Sequence, residues 1–211
     1  MKIASGVLVT AAAALLGVAA NSAAWTEQGA PPPKAQVRAG NYKADPHHSQ
    51  AIFSVSHFGL TDFSGLFSGV TGSLKLDPAS LAATKVDVAL PVASVLTTSD
   101  KLNEELRGDQ WLDAVKYPNA TFTSTKVTPQ GDGTTAVVEG TFTLHGISKP
   151  VTAIVNFSGA GDNPIAKAYT VGFRATTTIK RSDFGVKAYV PMIGDDVKLT
   201  FVGAFELQAS Q

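Results

Sequence analysis

From residue 41 onward the chain is dominated by a period of two. Val86, Val88 and Leu90 alternate with Asp87 and Ala89, and Ala136, Val138, Gly140, Phe142 and Leu144 alternate with Val137, Glu139, Thr141 and Thr143. The pattern recurs at Val151, Ala153, Val155 and Phe157, at Tyr169, Val171, Phe173, Ala175, Thr177 and Ile179, and at Val197, Leu199, Phe201, Gly203, Phe205 and Leu207. Thr152, Asn156, Arg174, Thr176, Lys198 and Glu206 take positions between them. Such alternation sets one side of a strand against an apolar interior and the other in water. With the runs 50–58, 67–76 and 120–127, about eight strands are expected, separated by turns such as Asp77-Pro78, Gly131-Asp132-Gly133 and Asp162-Asn163-Pro164.

Residues 99–112 alone depart from the pattern: Asp100 to Arg107 favour a short helix, with Ser99 as its cap. Antiparallel strands with one apolar face pack as a two-sheet sandwich or close into a barrel, and the period does not choose between them. Strand length does. The runs 169–179 and 197–207 are each 11 residues, which suits tilted barrel staves. The expected fold is all-β, with about eight antiparallel strands and a closed barrel favoured over a sandwich, and at that size the interior is either just filled by side chains or, as in lipocalins, holds one small ligand.

Ahead of the strands, Met1 and Lys2 precede an uncharged run from Ile3 to Ala20 and the small residues Ser22, Ala23 and Ala24. This is the pattern of a secretory signal peptide spanning residues 1–24. A membrane anchor is the alternative, but the run is only mildly apolar and no basic stop-transfer cluster follows, so no stable membrane insertion is expected once the leader is removed. Residues 25–40 are rich in Ala, Pro and Gln, with Pro31, Pro32 and Pro33 consecutive, and read as an extended linker to a domain at 41–208. The 211 residues carry 17 Lys plus Arg against 17 Asp plus Glu and no Cys. That balance lacks the basic footprint of a nucleic-acid binder and leaves no disulfide, thiol nucleophile or Cys-ligated metal.

No G-x-S-x-G, H-E-x-x-H, G-x-x-x-x-G-K or G-x-G-x-x-G pattern occurs, which removes the common hydrolase, metalloprotease and nucleotide readings. His47 and His57 could meet across a sheet as metal ligands, but no second ligand pair accompanies them, and His47-His48 fits a hydrogen-bonded turn. His57 shares a strand face with Phe53 and Val55, as a satisfied core histidine or as a polar group orienting a ligand head. Glu104, Glu105, Asp109 and Asp113 around Arg107 read as a solvated helix face with local ion pairs. Arg181-Ser182-Asp183-Phe184-Gly185 reads as a structural corner, closed by Ser182 and Asp183 with Gly185 free to take positive φ.

Several stretches in order resemble the YceI-like family of secreted bacterial proteins. They are residues 42–49 (YKADPHHS) running into 53–59 (FSVSHFG), Gly65-Leu66-Phe67, Gly72-Ser73-Leu74, 94–98 (SVLTT), 106–113 (LRGDQWLD), 117–122 (YPNATF), 140–151 (GTFTLHGISKPV) and Arg181 to Gly185. Each is weak alone, but together they cover nearly the whole domain. The chain departs from the family where Glu105 stands in place of the usual His and Arg107-Gly108 in place of Arg-Ser, so no head-group role is carried over to that segment. The resemblance implies an eight-stranded antiparallel lipocalin-like barrel in the periplasm whose interior holds a long polyisoprenoid chain, such as that of an isoprenoid quinone. Burial of such a chain is worth roughly 25 cal/mol per Å², so outside a bilayer it requires a lined container. Candidates for the ligand-binding lining are Phe53, Val55, His57, Val88, Leu90, Phe122, Phe142, Phe157, Phe173, Phe201 and Phe205. No catalytic residue, metal or cofactor is expected. The competing readings are an enzyme acting on a small apolar substrate through His57 and Asp183, and a filled barrel serving as an interaction module.

Overall fold

The computed structural model describes residues 37–209, so the expected leader and most of the linker lie outside the described residues. Ten strands follow in order: β1 (Gly40–Ala44), β2 (Gln50–His57), β3 (Thr61–Phe67), β4 (Thr71–Leu76), β5 (Lys85–Pro91), β6 (Asn119–Gln130), β7 (Thr135–Leu144), β8 (Ile147–Asn163), β9 (Ala168–Lys180) and β10 (Ile193–Leu207). One helix, α1 (Asp100–Arg107), lies between β5 and β6. Hydrogen bonding closes a ring of eight antiparallel strands: β1, β4, β5, β6, β7, β8, β9, β10 and back to β1.

The other two strands lengthen this ring rather than widen it. Where β1 leaves off at Phe205, β2 takes over the same edge of β10 from Val202 to Ile193, and β3 flanks β2 as β4 flanks β1. Two of the eight staves are thus broken in the middle, one by the turn at 45–49 and the other by Ser68 to Val70. The strand expected at 50–58 is β2 and that at 67–76 is mostly β4; β1 and β3 carry no alternation long enough to announce them. In β1 only Tyr42 and Ala44 face inward and buried, while β3 has Asp62, Ser64 and Gly65 among its apolar residues. The break after β1 is built by Asp45, whose carboxylate accepts the His47 N–H at 2.9 Å and binds the His48 ring. His47-His48 is therefore a turn, as expected.

Long staves must bend to stay on the barrel surface. β6, β8 and β10 each carry a bulge, at Ser124/Lys126, Phe157/Gly159 and Ile193/Val197, and bulges increase local twist and curvature. Between β4 and β5 the close approach falls at Gly72, with φ 142°, where a Cβ would lie 2.7 Å from Val88 Cα. Only glycine fits.

The two ends of the barrel differ. At one, the ends of β4 and β10 and the start of β9 meet β1 in a packed floor of Tyr42, Ala44, Leu74, Leu76, Tyr169, Val171 and Phe205. The chain before β1 joins it: Val37 packs against the floor, and Arg38 stacks over Tyr169 at 4.1 Å. The last residues of the stretch expected to be linker, 37–40, are thus part of the folded domain. At the other end lie α1 and the segments 108–118 and 181–192. Ser99 caps α1 by accepting the Leu102 N–H, and the helix stops at Gly108, shorter than the expected 99–112. Arg107 departs from the expected ion-paired surface: it donates to the carbonyls of Ala93 and Val95 at 2.8 and 2.9 Å, fastening α1 to the segment after β5.

Candidate functional site

Within the ring, the inward side chains do not meet. They enclose a lumen of about 340 Å³. One water requires roughly 10–15 Å³, so this is no packing defect. Its lining on β10 runs from Ile193 to Phe205. At about 3.3 Å per residue that is roughly 40 Å of strand, or roughly 30 Å of barrel axis at a usual stave tilt. The alternation explains the chemistry: Val151, Ala153, Val155 and Phe157 of β8 line the lumen, while Thr152, Ile154 and Asn156 between them do not.

Phe53, Val55, Val88, Leu90, Phe122, Phe142, Phe157, Phe173, Phe201 and Phe205 all line the lumen. Phe53 and Phe205 are buried, whereas Val55, Val88, Leu90, Phe122 and Phe142 are only half-buried, because they face open space rather than one another. His57 is the exception and a correction. It is exposed at the last position of β2, outside the lining, with its ring edge-on to Phe58 at 4.5 Å. Phe58 takes the left-handed φ of 56°, so the chain leaves the stave there and the alternation no longer aims His57 inward.

Two rings are held against the wall. A Cβ on Gly140 would sit 2.6 Å from Phe122 Cε2, and one on Gly65 would sit 2.6 Å from Phe53 Cζ. Each phenylalanine lies over a glycine on the neighbouring strand, which keeps its bulk out of the lumen. Near the floor, Phe157 and Phe173 (5.7 Å between centroids) make a tilted aromatic contact, and Phe173 and Phe205 (6.3 Å) an edge-on one.

The part of the lining that strand periodicity misses comes from connecting segments: Val92, Val95, Leu106, Trp111, Leu112 and Val186 close the end carrying α1. Their signal is an apolar residue standing alone among polar ones, as Trp111 and Leu112 do between Gln110 and Asp113. Around the β6–β7 turn at the opposite end, Leu81, Thr84, Pro129 and Thr134 contribute.

Among the described residues that line the lumen, Arg181 is the single one that carries a charge. It is buried, and its guanidinium donates to four carbonyls: Nε to Gly194 at 2.8 Å, Nη1 to Val186 at 3.0 Å, and Nη2 to Ala188 and Ile193 at 2.9 and 2.8 Å. Burial pushes its pKa down, opposed by the charge of Asp195. Four of its five N–H donors are spent on the 186–194 segment, and the Trp111 ring lies 5.3 Å above it. The expected corner therefore closes differently. Gly185 does take positive φ, at 81°, but Ser182 bonds Asp195 through its N–H and hydroxyl at 2.9 and 2.7 Å, while Asp183 is exposed. Burial raises the Asp195 carboxyl, but the Ser182 bonds and the charges of Lys180 and Arg181 outweigh it, leaving it below the usual range.

Among the described residues no carboxylate, imidazole, amine or thiol lines the lumen. No group of three His, Cys, Asp or Glu among them is placed to hold a metal, and no helix among them is long and apolar enough to cross a membrane. The open lumen departs from a filled barrel, and an enzyme using His57 and Asp183 finds both side chains exposed and unjoined by any hydrogen bond.

Ring closure, a packed floor and an apolar lumen define a lipocalin-like antiparallel barrel of the container type. The chain belongs to the YceI-like family, matching the YceI-like domain over residues 42–205. A UPF0312 protein of Pseudomonas syringae pv. tomato is 35% identical over 171 residues, which cover 80% of this chain and 88% of that protein. Among solved structures, Burkholderia cenocepacia BcnA superposes with a TM-score of 0.68 at 27% identity, covering 76% of this chain and 98% of BcnA. A polyisoprenoid-binding domain from Saccharophagus degradans has a TM-score of 0.62 at 18% identity, over 81% of this chain and all of that one, a likeness of fold.

Proposed function

We propose that this chain binds a long polyisoprenoid lipid, such as an isoprenoid quinone, in its lumen and carries, stores or sequesters it in the periplasm, which it reaches through the leader at residues 1–24. The observation that carries the reading is the lining: long, apolar, and without a free charge, since the guanidinium of Arg181 is engaged with backbone carbonyls. An apolar wall without free charges suits an uncharged hydrocarbon chain and would penalise a charged ligand, whose desolvation nothing inside would offset. At about 0.8 kcal/mol per buried CH₂, each added isoprene unit strengthens binding, so length rather than a head group sets affinity. The ten apolar residues named above are the proposed contacts, and the fold shared with a polyisoprenoid-binding domain supports the same reading.

The reading is of a binding protein, because no carboxylate, imidazole, amine or thiol among the described residues lines the lumen to accept or donate a proton in catalysis. The test is mass spectrometry of an organic extract from the full chain, expressed with its own leader and purified without detergent. A prenyl lipid is expected, and it is expected to be missing from Ala175→Trp, which plants an indole in the lumen between Phe173 and Thr177. Repeated absence of prenyl lipid from the wild type, together with no uptake of added quinone, would overturn the proposal.

A further inference from the structure

A prenyl chain several isoprene units long has almost no aqueous concentration, because every exposed CH₂ opposes its release into water. Its source must therefore be an apolar phase, and a container that loads from one needs a place to touch it. The end of the barrel that carries α1 has such a place. Phe58 and Leu60 project from the β2–β3 turn, and Tyr189 and Met192 from the segment before β10; all four are more than half exposed, Leu60 at 84%. The two tips are joined: the Phe58 N–H donates to the Met192 carbonyl at 2.8 Å, and Ile193 pairs with His57. They are also continuous with the lumen. Ile193, next to Met192, lines it, and Trp111, which lines it too, lies 6.2 Å from Tyr189 between ring centroids.

Resting on the lumen reading above, we propose that Phe58, Leu60, Tyr189 and Met192 form a docking face for a phospholipid bilayer, through which the prenyl chain passes past Trp111 and Ile193. Apolar and aromatic side chains on turn tips are the type that settles at the headgroup and acyl boundary, with tyrosine at the interface itself. The face binds a membrane surface and does not span it. Single protruding side chains immerse in a fluid phase without the shape-matched partner that a flat protein interface requires.

A built-in comparison makes the inference testable. Ile165, 92% exposed, occupies the β8–β9 turn at the opposite end of the barrel. The probe is octaprenyl benzoquinone, presented to the full chain either in vesicles of phosphatidylethanolamine and phosphatidylglycerol or as a water-soluble complex with methyl-β-cyclodextrin, with bound quinone extracted after separating the protein. The double variant Leu60→Glu, Met192→Glu is expected to take up quinone from vesicles at least about tenfold more slowly, tenfold being the effect of losing slightly less than one fully buried apolar side chain. Its uptake from the cyclodextrin complex, which presents no apolar phase to dock on, is expected to stay within about twofold of wild type, which also shows that the fold and lumen survive. Ile165→Glu is expected to change neither. Equal slowing by Ile165→Glu, or no slowing by the double variant, overturns the docking face while leaving the lumen reading intact. A wild type that takes up no quinone even from the cyclodextrin complex overturns both.

Discussion

Arg181 is the position at which the stability of the lumen wall can be tested most sharply. Its side chain donates to four carbonyls of one segment, those of Val186, Ala188, Ile193 and Gly194 at 2.8 to 3.0 Å, and two of those residues, Val186 and Ile193, line the lumen. A lysine brings three donors from a single point and cannot reproduce a planar fork, so Arg181→Lys forfeits at least one charge-assisted bond, about 1.5–3 kcal/mol. Arg181→Leu forfeits all four and strands the carbonyls. Against that, the leucine no longer requires a cation to be desolvated, and the net destabilisation is expected at about 3–5 kcal/mol, because each carbonyl left buried without a donor costs about 1–3 kcal/mol. Urea unfolding followed by circular dichroism measures both, and Trp111 emission reports the site itself because its ring sits 5.3 Å from the guanidinium. If Arg181→Lys stays within about 0.5 kcal/mol of wild type, the typical scatter of surface changes, the clamp is not what holds this wall. A lysine variant that keeps full stability yet no longer retains lipid would go further, because it would make Arg181 a ligand contact.

Three further outcomes follow from the geometry. Gly140→Val is expected to drive the Phe122 ring off the wall and into the lumen, lowering lipid content in extracted protein and costing about 1–3 kcal/mol of stability in urea, as overpacking does; full lipid occupancy would contradict the wall arrangement. Burial raises the Asp45 carboxyl, but its bonds from His48 and the His47 N–H outweigh this and hold it below the usual range. Its contribution is therefore present above the unfolded value near about 4 and lost as the pH falls through the folded one, so Asp45→Asn should be about 1.5–3 kcal/mol less stable at neutral pH, with the gap closing in acid melts. Burial, with Tyr169 adding and Arg38 opposing, pushes the Tyr42 phenol up from 10.0 to about 12. Stability is then complete below pH 10.0 and falls through about 12 by about 2–3 kcal/mol, a decline that alkaline unfolding of Tyr42→Phe should lack.

How far the sequence reaches into this structure depends on what each residue's neighbours are. Val151 to Phe157 and Val197 to Phe205 declare their inward face because a stave has only two sides, and the period of two assigns both. His57 obeys the same period and yet is exposed, because the alternation carries no notice of where a strand stops; the left-handed Phe58 ends it one residue later. The broken staves evade the pattern for a related reason. β1 and β3 derive their place from pairing with β4 and β2, contacts that no local run encodes. Arg181 is legible as part of a corner but not as a clamp, since its four acceptors are main-chain carbonyls, which every sequence position offers alike.

The hollow itself is the hardest feature to read, and the reason is physical. An inward Phe in a filled barrel and an inward Phe in an open one occupy the same position in the same alternation, and the difference lies in what faces them across the ring. Here that difference is made by small residues and by placement: Gly140 beneath Phe122 and Gly65 beneath Phe53 let the rings lie back, and Ala153 and Ala175 leave room along β8 and β9. Glycine inside a strand ordinarily weakens it, having no side chain to pack and more backbone freedom to lose. At Gly65 and Gly140 that loss is offset by the ring each one receives, and the product is open volume. A pairing of Phe on one stave with Gly on the next, directly opposite or on the diagonal, is thus the cross-strand signature of a wall, and it becomes visible only when the register, Phe53 opposite Gly65 and Ser124 opposite Gly140 with Phe122 two pairs away, is known.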